Sequence, residues 1–198
     1  MTWFYAALLG YLIGSIPFGL LLSLAAGKGD IRQIGSGNIG ATNVLRTGSK
    51  WLAAATLLLD AAKGFFAVWL AWRFAPEAVP MAAWGVVIGH CFPVWLKFKG
   101  GKGVATNFGV SLGLAWPIGL AYAIVWLGVL AITRISSLAG MSAVIAAAVG
   151  SVVLGYTAFV PVTVVIAILV IWLHRENIAR LRAGTEPKVG RKKDTPEA

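Results

Sequence analysis

The chain has 198 residues, 59% of them apolar and 12% charged, with a mean hydropathy of +0.82. Soluble domains average about 45–50% apolar and about 25% charged, so this balance excludes a soluble globular domain, a disordered chain and a coiled coil. The net charge of +10 would suggest nucleic acid as a partner, but the basic residues sit at the edges of long apolar runs, which points to a membrane and to no nucleic acid; the single cysteine, Cys91, excludes a disulfide framework and a thiolate metal cluster.

Thr2–Gly27 carries no charge. No basic residue precedes its apolar run, and the run exceeds the about 7–15 residues of a signal-peptide core, so it is read as an uncleaved first crossing. Trp51–Trp72 is apolar apart from Asp60 and Lys63, Ala78–Leu96 is uncharged, and two longer runs follow, Gly103–Thr133 and Ile135–Leu173. A crossing takes about 17–25 residues. The last run therefore holds two, with the turn expected at Gly155-Tyr156.

Charge decides the reading of Gly103–Thr133. Basic residues form four groups: Lys28, Arg32, Arg46 and Lys50; Lys97, Lys99 and Lys102; Arg134; and those from Arg175 to Lys193. Short loops rich in Lys and Arg stay on the cytoplasmic side. If all four groups share that side, each neighbouring pair is joined by an even number of crossings. Gly103–Thr133 then goes out and returns, turning at Trp116-Pro117, where proline ends a helix. Its first half is short for a full crossing, which points to a shallow or re-entrant helix. The predicted fold is an all-α integral membrane protein with seven transmembrane helices, the amino terminus outside and the carboxyl terminus cytoplasmic. Continuous apolar runs, rather than alternating ones, favour helices over a barrel. Residues 1–184 form the membrane domain, and residues 185–198 a basic cytoplasmic tail whose Lys, Arg, Glu, Pro and Thr composition predicts disorder.

Three polar segments share the predicted cytoplasmic face. The first runs from Asp30 to Arg46 and holds a G-x-G-x-x-G at Gly35, Gly37 and Gly40. A dinucleotide site would need a preceding strand and a βαβ unit, and a membrane helix precedes it instead, so that reading is rejected. Its physics survives: glycines allow positive φ, and successive backbone N–H groups can form an anion-binding nest. Ser36, Asn38, Thr42 and Asn43 add neutral donors, and Arg46 adds a guanidinium suited to phosphate. The plain alternative is a flexible, solvated glycine loop.

The second segment runs from Gly89 to Thr106. It lacks the first glycine and the final Ser/Thr of a Walker A motif, with Leu96 and Gly103 in those places. What remains is Lys102 among Gly100, Gly101 and Gly103 at a helix start, an arrangement suited to phosphate by dipole and charge. Lys97 and Lys99 fit ordinary membrane anchors. His90 and Cys91 read as packed polar residues. The third segment, His174 to Glu186, places His174, Asn177 and Leu181 on one helical face and Arg175, Arg182 and Glu186 on another. The plain alternative is an interfacial helix holding anionic lipid headgroups, and the two readings can hold together. Asp60 and Lys63, deep in the second crossing, read either as a self-neutralised packing pair or as support for a site.

Taken in order, several pieces resemble the bacterial acyl-phosphate-dependent glycerol-3-phosphate acyltransferases, small integral membrane enzymes that begin phospholipid synthesis. They are Gly14-Ser15-Ile16-Pro17, Gly35 to Asn43 with Arg46, Asp60 to Gly64, Gly89-His90 with Phe92-Pro93, Phe98 to Thr106, and His174-Arg175 with Asn177-Ile178 and Arg180-Leu181. The resemblance spans residues 14 to about 186, and its specificity lies in the ordered set. It implies a seven-helix fold in the bacterial inner membrane with an active site facing the cytoplasm. The implied reaction moves a fatty acyl group from acyl phosphate to the 1-hydroxyl of sn-glycerol 3-phosphate. It implies that Ser36, Arg46 and Lys102 hold phosphate with neighbouring N–H groups, including those of Gly35, Gly37, Gly101 and Gly103. His174 and Asn177 would contact glycerol 3-phosphate, and Ser137 joins them. It also implies no metal and no cofactor, with membrane lipid and the enzyme that makes acyl phosphate as partners.

The residues suit that chemistry. An acyl phosphate is already activated, so the protein must hold two phosphates against repulsion, place the hydroxyl about 3–3.5 Å from the carbonyl carbon and stabilise an oxyanion. Deprotonation of the hydroxyl by a substrate phosphate oxygen is favoured, with His174 as the alternative base. A solute transporter would place its polar site near the midplane; here only Asp60 and Lys63 are deep. A lipid-binding scaffold leaves the glycines around Lys102 unexplained.

Overall fold

A computed structural model describes residues 1–190; among them every regular element is helical. In chain order these are α1 (Thr2–Gly14), α2 (Phe18–Ala25), α3 (Ala41–Val44), α4 (Lys50–Phe74), α5 (Val79–Cys91), α6 (Val104–Leu114), α7 (Trp116–Thr133), α8 (Ser136–Val153), α9 (Val160–Leu173) and α10 (Arg175–Arg182). Among the described residues, five units are long and apolar enough to cross a bilayer: Thr2–Ala25, Lys50–Phe74, Pro76–Leu96, Trp116–Thr133 and Ser136–Val153. Thr157–Leu173 and Arg175–Arg182 form a sixth only as a pair bent by 58°. The expected turns fall at Ala115, ahead of Trp116-Pro117, and around Gly155, whose φ is +79°. At 11 residues α6 is about 16 Å long, roughly half the thickness of a hydrocarbon core.

The first apolar run is broken where the sequence shows no loss of hydropathy. Pro17 has no N–H to continue the ladder, so α1 stops at Gly14 and α2 restarts at Phe18. The break takes the Ile16 carbonyl out of the helical ladder; it accepts from Phe18 N at 3.1 Å and from Lys63 Nζ at 2.8 Å.

Glycine lets the helix backbones close on one another. A Cβ on Gly14 would lie 2.0 Å from the Val86 carbonyl oxygen, which seats α1 on α5. A Cβ on Gly109 would lie 1.8 Å from the Ala61 carbonyl oxygen, and one on Gly64 2.1 Å from that of Thr106. These approaches dock α6 against the middle of α4, an arrangement that membranes favour because lipid offers no hydrophobic drive between helices. The start of α6 therefore lies well inside the bundle. Val68, Val86, Val87, Val110, Ile118 and Ile166 fill the core. Leu58, Phe66, Trp69, Ile124, Ile132 and Val153 point outward, as side chains facing lipid do.

The three polar segments and the Arg134 turn meet at one end. Leu96 packs on the small cluster of Leu20, Ile31, Ile39, Val44 and Ala53, which joins the second segment to the first. Lys102 bonds Asn177 in α10. Val189 N donates to the Arg134 carbonyl at 2.7 Å, joining the turn before α8 to the segment after α10. Residues 185–190, expected as part of a disordered tail, are instead held against the helices through Glu186 and Val189, because Gly184 (φ +70°) reverses the chain after α10. The rest of that tail, 191–198, lies outside the described residues.

Candidate active site

The first group of side chains lies in the loop before α4. Asn43, 2% exposed, donates Nδ2–H to the Ile31 carbonyl at 2.6 Å. Its Oδ1 accepts from Ser36 N at 3.2 Å, from Ser36 Oγ at 3.4 Å and from Arg46 Nη1 at 3.5 Å. Asn43, expected to touch phosphate, is thus the internal clasp that brings Ser36 and Arg46 together. Asn38 Oδ1 accepts from Gly40 N at 2.7 Å, closing a turn, while Thr42 is exposed. Gly35 (φ +59°) has no room for a Cβ, which would lie 1.9 Å from Arg46 Nη1. Gly37 donates its N–H to the Ile34 carbonyl. Ser36 and Arg46 remain exposed, so the loop presents a hydroxyl and a guanidinium to solvent at adjoining points.

The second group surrounds Lys102. Tyr11 OH donates to the Phe92 carbonyl at 2.9 Å and Trp95 Nε1 to the Ser15 carbonyl at 2.8 Å, pinning the start of the loop to α1. Gly100 and Gly101 donate their N–H groups to the Cys91 and His90 carbonyls, each at 3.0 Å. The Gly101 N–H, expected to face phosphate, is therefore already used. Gly103, with φ +82°, turns the chain into α6. Lys102 is half-buried and its ammonium donates to Asn177 Oδ1. Burial lowers the Lys102 pKa, and Arg180 pushes it the same way.

Asn177 Nδ2 donates to Glu186 Oε1 at 2.6 Å, Ser137 Oγ to the same oxygen at 2.6 Å, and Arg180 Nε to Glu186 Oε2 at 2.7 Å. Burial would raise the Glu186 pKa, but these donors hold it below the usual carboxylate range. Glu186 therefore does not lie with Arg175 and Arg182, as helical spacing suggested; α10 ends at Arg182 and the reversed chain brings it to Asn177. His174 caps α9 with Nδ1 at 2.7 Å from the Val170 carbonyl. A carbonyl only accepts, so Nδ1 carries the proton and Nε2 keeps its lone pair. Burial lowers the His174 pKa to about 4.

The structure thus joins Ser36, Asn43 and Arg46 in one group, and Lys102, Ser137 and Asn177 in another, without a side-chain hydrogen bond between the groups among the described residues. Sequence reasoning missed Glu186 as the hub of the second group. The available signal was an acid just past a helix-ending glycine that follows a basic helix. Beneath the loop, Asp60 contacts Lys63 at 2.7 Å and His90 Nδ1 at 3.6 Å, all three at most 4% exposed. Among the described residues no three His, Cys, Asp or Glu side chains are placed to hold a metal. A cavity of about 560 Å³ lies at the opposite end between α1, α4 and α5, lined by Tyr5, Leu9, Ala67 and Phe74 among others; it is apolar and remote from both groups.

Residues 4–184 match the sequence model of a family described as glycerol-3-phosphate acyltransferase. A glycerol-3-phosphate acyltransferase of Erythrobacter litoralis is 66% identical over 187 residues, covering 94% of this chain and 95% of the relative. One from Novosphingobium aromaticivorans is 66% identical over 184 residues, covering 93% of each chain. Among solved structures, the fold is similar to PlsY (YgiH), an integral membrane glycerol 3-phosphate acyltransferase, in its glycerol 3-phosphate form, with a TM-score of 0.90 and 38% identity over 96% of each chain. The lysophosphatidic acid form gives 0.87. With a matching family model, close relatives over nearly its whole length and a shared fold, the chain belongs to the glycerol-3-phosphate acyltransferase family of integral membrane proteins.

Proposed function

We propose that this protein moves a fatty acyl group from acyl phosphate to the 1-hydroxyl of sn-glycerol 3-phosphate, giving lysophosphatidic acid and inorganic phosphate, the first step of phospholipid synthesis. The observation that carries this reading is the half-buried Lys102 ammonium, held by Asn177 close to Ser137 at the end where every polar segment meets, in a chain 66% identical to named glycerol-3-phosphate acyltransferases. Ser36, Arg46 and Lys102 hold the substrate phosphates. His174, Asn177 and Ser137 contact the glycerol phosphate. The reading needs no metal and no cofactor.

In this mechanism the 1-hydroxyl oxygen bonds to the acyl carbon, the carbon–oxygen bond to phosphate breaks, and the proton passes to phosphate. Lys102 stabilises the charge that develops on the carbonyl oxygen and leaving group. His174, with a pKa of about 4, is a weaker base than a phosphate dianion, whose pKa is about 6. That ordering favours the substrate's own phosphate as proton acceptor. The free lone pair on His174 Nε2 favours its use as the acceptor of a hydrogen bond that orients the hydroxyl.

Seven crossings, an outward amino terminus and a cytoplasmic site complete the proposal, with α6 as the short fourth segment and the bacterial inner membrane as the location. Acyl phosphate reaches the site sideways from lipid, supplied by the enzyme that makes it. The test is phosphate release by purified protein from palmitoyl phosphate, with and without glycerol 3-phosphate, alongside mass detection of lysophosphatidic acid. Release that depends on glycerol 3-phosphate and matches lipid formation is expected. No product with palmitoyl phosphate, but product with palmitoyl-CoA, would replace the donor; no product with either, from folded protein, would end the acyltransferase reading.

A further inference from the structure

The buried Asp60, Lys63 and His90 side chains have no place in the reaction as written, yet burying a carboxylate, an ammonium and an imidazole together inside a membrane bundle is costly even when they are paired, and such residues mark a functional role by default. A continuous path of contacts shows what they touch. Lys63 Nζ lies 2.7 Å from Asp60 Oδ1 and donates to the Ile16 carbonyl at 2.8 Å, in the break between α1 and α2. Asp60 Oδ1 lies 3.6 Å from His90 Nδ1. On the other side of the ring, a Cβ built on Gly101 would lie 1.9 Å from His90 Nε2 and 2.6 Å from Cε1, so the bare Gly101 backbone rests directly on the imidazole. The Gly101 N–H is tied to the carbonyl of the same histidine at 3.0 Å. The next residue is Lys102.

We propose that His90 is a positioning residue for Lys102: its ring, oriented by the Asp60–Lys63 pair, is the seat that fixes the Gly101 backbone and so delivers the Lys102 ammonium to Asn177. The catalytic consequence rests on the reading that Lys102 holds substrate phosphate, whereas the seat itself does not. The cluster is 2–4% exposed, so it acts by packing and orientation rather than by exchanging protons with solvent. Gly101 is glycine because the ring occupies the place of a side chain.

The test is a double-mutant cycle between His90→Ala and Gly101→Ala, read in two ways. The first readout is the KM for glycerol 3-phosphate and kcat. The second is acetylation of Lys102 by an amine-reactive ester, followed by mass spectrometry, which needs no turnover. Each single variant is expected to raise KM about tenfold with a smaller change in kcat, and to raise Lys102 labelling several-fold. In the double variant the methyl enters the space the ring left, so KM and labelling are expected to return at least threefold towards wild type. If His90→Ala does not yield monodisperse protein, His90→Gln removes the ring with less loss of volume and enters the same cycle. Independent effects in both readouts, or wild-type labelling in folded single variants, would overturn the proposal. A wild-type protein without turnover whose Lys102 labelling still follows the cycle would leave the seat standing and reject only the acyltransferase reading.

Discussion

Glu186 receives Ser137, Asn177 and Arg180 on two oxygens, so a glutamine there must turn an N–H₂ towards at least one donor. A buried donor left unpaired costs about 1–3 kcal/mol. Glu186→Gln is therefore expected to lower thermal stability in detergent and to cut turnover, since Asn177, which holds Lys102, loses its anchor. An unchanged melting temperature together with unchanged turnover would remove Glu186 from the site. Lys102→Ala and Arg46→Ala act differently, because both cations are asked to bind phosphate. Each is expected to reduce turnover by about 100-fold or more in a folded protein, and near-normal activity in either variant would exclude that residue. His174 adds a pH effect. Its pKa is about 4 in the folded protein and near 6.5 unfolded, so between those values the unfolded chain binds a proton that the folded chain does not. Stability should fall as pH drops from about 6.5 to about 4, by up to about 3 kcal/mol for this group. Melting curves at pH 7.5 and 5 should show a larger drop for the wild type than for His174→Gln. At this scale Lys102 was legible because its glycines have no anchoring role to explain them. His90 and Glu186 were not legible: each acts through a backbone or side chain that only the folded chain brings alongside it.

At the scale of the element, the helices follow from hydropathy but their interfaces do not. Gly109 and Gly64 dock α6 on α4, and nothing in the apolar run Gly103–Thr133 distinguishes Gly109 from Gly128, around whose Cβ there is open space. Gly109→Leu is accordingly expected to separate α4 from α6 and lower thermal stability by at least about 1–3 kcal/mol, with loss of activity because α6 carries the Lys102 loop at its start. Gly128→Ala should leave the melting temperature unchanged; equal effects at the two positions would mean that α6 is not held by this contact. The break at Pro17 has the same origin. Hydropathy reads Thr2–Gly27 as one uncharged run, whereas the missing proline N–H divides it and offers the Ile16 carbonyl to Lys63. The short α6 could be suspected from its length. Its depth depends on packing against α4, which no periodicity in the sequence reports.

At the scale of the whole molecule, charge carries the topology. The basic groups before α4, before α6, before α8 and after α9 are joined by contacts at one end, through Leu96, Lys102 and Val189. Among the described residues, the only charged side chains at the opposite end are Arg73, in the last turn of α4, and Glu77 just after it. Under the rule that short basic loops stay in the cytoplasm, the proposed orientation places Lys99 and Arg134 inside, and Glu77 and Thr157 outside. All four are exposed, and the native Cys91 is buried, so single cysteines at these positions can be read with little background. In spheroplasts treated with a membrane-impermeant maleimide, Glu77→Cys and Thr157→Cys are expected to label at once, and Lys99→Cys and Arg134→Cys only after permeabilisation. The reverse pattern would invert the protein and put the polar end outside. Labelling of Arg134→Cys together with Glu77→Cys, with Thr157→Cys protected, would break the even count between basic groups. It would mean that α6 does not act as a crossing and that Lys102 and Asn177 face opposite sides of the membrane, which the bond between them forbids. In the proposed topology, site chemistry and orientation are therefore linked: the short helix that brings Lys102 into the bundle is also the one that keeps every polar segment on the same side.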